Sequence, residues 1–156
     1  MAATLRFLQF LSLGCWVGSI IFFIVFTAGI FSVIPTKDLT GVVVGYSLAR
    51  LHMMGLVAGL VYLIATVFLE KSVAALVRPS ALLVFLMIVC TTASQYGVIA
   101  RMDALRAQMG SVDATPADAP LRMAFDRLHQ YSVRLEMAVL LSGLVALFLT
   151  ARQKSS

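Results

Sequence analysis

Four stretches of this chain carry no charged side chain: Phe7 to Thr36, Leu51 to Leu69, Pro79 to Ala100, and Met137 to Ala151. A helix that crosses a bilayer needs about 20 mostly apolar residues, within a range of roughly 17–25. Three of the runs meet that length and the fourth falls short. The sequence therefore predicts an all-α fold, a four-helix transmembrane bundle occupying 1–156 as a single transmembrane domain. Composition agrees, at 61% hydrophobic and 12% charged, against about 45–50% apolar and about 25% charged in soluble domains. No length is left over for a soluble enzyme domain.

Turn and cap signals divide the runs. Pro35-Thr36-Lys37-Asp38 breaks the first, and Thr36 or Asp38 suits the N-cap of the next helix. Glu70 to Arg78 is a short connection, and Pro79 fits the first turn of a third helix. GSVDATPADAP is built from turn formers and predicts a flexible connection over 110–120. The expected helices are 4–34, 39–69, 79–109 and 120–152, with the third and fourth extending beyond the membrane. Gly14-Cys15 hints at a lipoprotein signal, but Ser12 stands three residues before the cysteine and the apolar run continues to Ile34. That is well past the 7–15 residues or so of a signal h-region, so the segment reads as an uncleaved first helix.

The net charge of +5 and the pI near 9.7 do not point to nucleic acid. The basic residues stand at the ends of apolar runs, where they anchor helices among lipid headgroups. Arg6, Lys71, Arg78, Arg152 and Lys154 fall on the side of both termini, and Lys37, Arg50, Arg101, Arg106, Arg122, Arg127 and Arg134 on the other. Raw count and short-loop bias disagree; the latter favours cytoplasmic termini in a bacterial inner membrane. An internal repeat is also suggested. FLSLGC at 10–15 echoes FLMIVC at 85–90, and ARLH at 49–52 echoes DRLH at 126–129, which would make the bundle two repeated helix pairs of parallel topology.

The chemistry-bearing residues gather at the mouths of helices two and four. Met137 to Ala151 is too short to span, so the bilayer draws in residues from near Tyr131, including Arg134 and Glu136. A charge at a helix centre costs about 2.5–3.5 kcal/mol. Arg134 can snorkel; Glu136 is too short to do so easily. Helical spacing puts Arg127, Tyr131 and Arg134 on one stripe and His129, Ser132 and Glu136 on another, nearly opposite. The first is headgroup-anchoring chemistry and the second belongs inside a bundle. Helix two offers a matching stripe of His52, Gly55, Gly59 and Thr66. Gly55 with Gly59, and Gly14 with Gly18, form GxxxG pairs that admit close helix packing. Helix three stacks Cys90, Ser94, Gly97 and Arg101 on one stripe, making Arg101 the expected partner of Glu136 within a buried network of Arg101, Ser132 and Glu136. On that basis Glu136→Leu should be tolerated better than Arg101→Leu.

His52 and His129 enter from the same side on alternate helices. If they faced each other they would serve as axial ligands to haem b, or as donors to a soft metal such as copper. The bland alternative is two interfacial histidines bonded to Glu136, Ser132 or backbone. Cys15 and Cys90 would suit copper only if the repeat were real, and are otherwise small hydrophobes. Methionines near the histidine side, among them Met53, Met54 and Met102, are ordinary packing as well as Cu(I) donors.

LRFLQFLSLGCWVGSIIFF, VVGYSLARLHMMGLVAG and FDRLHQYSVRLEMAVLLSGLVAL together resemble the bacterial transmembrane protein 205-like family, small four-helix membrane proteins of unknown function. The specific parts are Leu51-His52 and the string from Phe125 to Glu136. The resemblance implies a membrane bundle and no settled activity. A remoter similarity, through Trp16 and Gly18, runs to copper-resistance D membrane domains and haem-binding protoporphyrinogen oxidases, and ranks haem or metal above other ligands. Three functions follow: a haem- or metal-binding bundle, an accessory or structural subunit packed against other membrane subunits or itself, or a small permease lined by Glu136, Arg101 and His129. No nucleophile–base pair or phosphate loop supports an enzyme.

Overall fold

The computed structural model describes residues 1–153; Lys154, counted above with the terminal-side charges, lies outside them. Every element is helical. α1 covers Ala2–Val33 and α2 covers Lys37–Glu70; a short 3-10 turn, Val73–Val77, leads to α3, Pro79–Thr92. A π-helical segment, Ala93–Ile99, joins α3 to α4, Ala100–Met109, and α5 runs Pro120–Arg152. Four rods, with α3 to α4 counted as one, are long and apolar enough to cross a membrane. In hydrocarbon each backbone N–H must bond within its own segment, and long helices meet that demand. The chain is an all-α four-helix bundle and an integral membrane protein.

Local chemistry sets the boundaries. Thr36 caps α2, its hydroxyl accepting from the Leu39 amide, and Lys71 closes that helix in the left-handed region at φ 50°. Ser72 caps the 3-10 turn, Arg78 pairs with Glu70, and Pro79 opens α3. α1 packs chiefly on α2 and α3 on α5; α2 against α3 and α1 against α5 close the ring. Trp16, Ile20, Tyr62, Val84, Met87, Val139 and Ala146 fill the centre. Trp16 is the key piece, since its indole occupies the space where Cβ atoms on Gly55 and Gly59 would stand.

The connection after α4, expected to be flexible, is tied at several points. Asp38 accepts from the Ser111 hydroxyl at 2.5 Å and the Val112 amide at 2.7 Å, and Arg122 donates to the Val112 carbonyl at 2.6 Å. Beneath it Met102, Val112 and Phe125 form a small second core, with the Arg106 guanidinium 5.4 Å over the Phe125 ring. The Ser111 hydrogen bond, followed by the Val112 amide, holds the Asp38 carboxyl below its ordinary range. Asp38 sits in the first turn of α2, well ahead of the uncharged run that begins at Leu51.

Candidate functional site

That run, Leu51 to Leu69, holds 19 residues. At 1.5 Å per residue it is about 28 Å long, close to the roughly 30 Å of bilayer hydrocarbon. Arg50 therefore marks one boundary and Glu70 the other. His52 lies about 3 Å inside the first boundary. It is 2% exposed, and both its ring nitrogens are engaged. Nδ1 is 2.7 Å from Oε1 of Gln95, on the π segment, and Nε2 is 3.2 Å from Oε2 of Glu136, on α5. Three rods converge on one imidazole. With the Gln95 oxygen on Nδ1, that nitrogen donates.

The buried face of α3 explains why Gln95 and not Arg101 reaches the interior. Val84, Met87 and Thr91 are buried, and at about 100° per residue that face continues to residues 95 and 102. The stripe Cys90, Ser94, Gly97, Arg101 runs through Cys90, which is only half-buried, and lies to one side of that face. Ser94 is buried at the margin, Met102 is buried and Arg101 is exposed. Arg101 is therefore not the partner of Glu136; His52 is. Ser132, one turn from Glu136, is buried. The Ser94 hydroxyl is buried without a hydrogen-bond partner among the described residues.

His129 is exposed and is not brought against His52. The reason is axial: His129 precedes Glu136 by seven residues, about 10 Å along α5, and Glu136 is the residue level with His52. The expected pair of axial haem ligands is not assembled. Among the described residues no group of three or more His, Cys, Asp or Glu is placed to hold a metal ion. Cys15 is exposed and Cys90 half-buried. The glycines divide in the same way: Gly55 and Gly59 meet Trp16, and Gly59 also meets Ile88, whereas Gly14 and Gly18 face open space. His52 and His129, equivalent in the suggested repeat, thus occupy unlike environments.

A second polar level lies toward the termini. Gln9 donates to the Thr66 hydroxyl at 2.8 Å, Tyr62 and Thr150 share a hydrogen bond at 2.7 Å, and Gln153 donates to Ser80 at 3.0 Å. Thr66 and Thr150 return their own protons to the carbonyls of Tyr62 and Ala146. Tyr62 is ten residues, about 15 Å, from His52 along α2. Trp16, Met87 and Val139 fill the layer between them.

Sequence reasoning missed Gln95. Folding the chain back at the 71–78 connection pairs His52 with about residue 97, so an amide at 95 was a signal in range.

A family model described as a domain of unknown function, DUF4149, matches residues 11–111. No curated protein and no solved structure matches the chain.

Proposed function

Because the chain belongs to the DUF4149 family, whose description assigns no activity, its role must be read from its own site, and we propose an accessory membrane bundle that binds a proton between His52 and Glu136 at one face of the bilayer. The observation that carries this reading is the 3.2 Å contact between buried His52 and half-buried Glu136. With Nδ1 donating to Gln95, the contact closes when one proton lies between Nε2 and Oε2. Either a neutral imidazole accepts from a carboxylic acid, or an imidazolium donates to a carboxylate. Without that proton a lone pair faces a carboxylate in a medium of low dielectric, where repulsion is strong and burial of the charge is costly. The proton is thus part of the joint between α2 and α5.

Its location favours binding over conduction. The site lies near the boundary marked by Arg50, and the apolar layer around Trp16 separates it from the hydroxyls near Tyr62. A proton enters and leaves by the same face. A permease lined by Glu136, Arg101 and His129 fits less well, since only Glu136 of the three turns inward. The haem or copper reading rested on His52 facing His129 and loses its second ligand. The narrower likeness to transmembrane protein 205-like proteins adds the string Phe125 to Glu136, which lies beyond the family match and supplies the acid.

The test is a titration in lipid nanodiscs, following the ring nitrogens of His52 by NMR and the carboxyl band of Glu136 by infrared spectroscopy, with exposed His129 as the internal reference. The two groups should change protonation over the same pH interval, and Glu136→Gln should abolish that coupling. Independent titration overturns the proposal. So does stoichiometric haem or metal in the purified protein.

A further inference from the structure

The α1–α2 hairpin carries a groove on its outer side, open to lipid and unrelated to the proton site. Gly18 and Ser19 form its floor, Phe22, Phe23 and Phe26 one wall, and Arg50 stands at its α2 edge. Gly18 has open space where a Cβ would be, and Phe22 and Phe26 stack with centroids 6.0 Å apart. Arg50 is exposed but not loose. Its guanidinium lies 5.0 Å over the Tyr46 ring and donates to the Tyr46 hydroxyl at 3.0 Å. Among the described residues no carboxylate lies within salt-bridge distance of it, and no acidic residue lines the groove.

We propose that this groove binds an anionic glycerophospholipid, headgroup phosphate on Arg50 at the level of the phenylalanines and acyl chain descending over Gly18, Ser19 and Met54. Depth and charge together select that occupant. Arg50 immediately precedes the uncharged span, which places it among the phosphates. A zwitterionic headgroup brings an ammonium for which the groove offers no acid, whereas an anionic headgroup meets an unpaired, oriented fork of donors. Basic pockets between membrane helices bind anionic headgroups by the same combination.

The experiment is native mass spectrometry of the full chain released from nanodiscs containing equal phosphatidylglycerol and phosphatidylcholine. The wild type should retain phosphatidylglycerol with about fivefold preference, the size of one surface arginine's attraction to an anionic lipid. Arg50→Gln should bring the ratio to parity and Arg50→Lys should keep most of it. Gly18→Leu, which fills the floor, should reduce retention of both lipids. Arg134→Gln, altering an exposed arginine on α5, should leave the preference intact. Equal losses for Arg50→Gln and Arg134→Gln would mean general surface attraction and overturn the site. A dimer abolished by Gly18→Leu, with no lipid preference in the wild type, would assign the groove to a second copy and overturn it as well.

Discussion

The indole of Trp16 occupies the place a side chain on Gly55 would need. Trp16 is 1% exposed, so it has nowhere to withdraw. Gly55→Ala should therefore cost about 1–3 kcal/mol, the usual penalty of overpacking a filled core. Gly143→Ala should cost less, because its nearest neighbours are the ends of Val17 and the flexible Met87. Gly14→Ala and Gly18→Ala should be neutral, since both face open space. Unfolding of the four variants in mixed micelles checks the order.

Glu136→Leu should destabilise the bundle more than Arg101→Leu, the reverse of what an Arg101–Glu136 pairing implies. Removing the carboxylate strands Nε2 of a buried histidine, at about 1–3 kcal/mol. Arg101 is exposed, and among the described residues it forms no ion pair, so its loss should stay within about 0.5 kcal/mol. Accumulation in membranes and detergent melting temperatures of the two variants decide it.

Deleting Tyr96 should be tolerated better than deleting Phe85. Both side chains are exposed. Removing one residue from a π segment returns it to α-helix and leaves the flanking registers alone. Removing one residue from a regular helix rotates everything beyond it by about 100°. Yield of monodisperse protein after each deletion is the readout, and equal failure of both would contradict the assigned register.

Acid should release the 110–119 connection from α2. The folded-state carboxyl of Asp38 is held below its ordinary value of 3.8, first by the Ser111 hydroxyl and then by the Val112 amide. A depressed carboxylate stabilises above the unfolded value, and its contribution disappears as pH falls through the folded value. Protection of the Val112 amide against hydrogen exchange, corrected for intrinsic rates, should be unchanged above pH 3.8 and fall below it. Asp38→Ala should lack that protection throughout.

Charge-free runs were enough to reveal four helices, because length and the absence of charge are all the bilayer demands. The inward stripe of α5 was legible for the same reason: α5 is unbroken, and Ser132 and Glu136 fell where 100° per residue puts them. Arg101 was misplaced because the stripe was drawn through half-buried Cys90 and not through Val84, Met87 and Thr91, whose face leads at about 100° per residue to Met102. His129 was misplaced along the axis rather than around it. Faces follow from sequence spacing, but the relative height of two rods depends on loops and packing, and here the level with His52 belongs to a residue two turns on. Gly14 and Gly18 show that a GxxxG spacing has meaning only with a partner seated on it.

The order of synthesis gives the His52–Glu136 joint one more consequence. α5 leaves the ribosome after α2 and the π segment, and with it, among the described residues, the only acid in contact with this imidazole. Until then the nascent bundle holds His52 against Gln95 alone, with one ring nitrogen unanswered near the membrane surface. Arrival of α5 supplies the partner of that nitrogen, together with those of the Tyr62 and Ser80 hydroxyls.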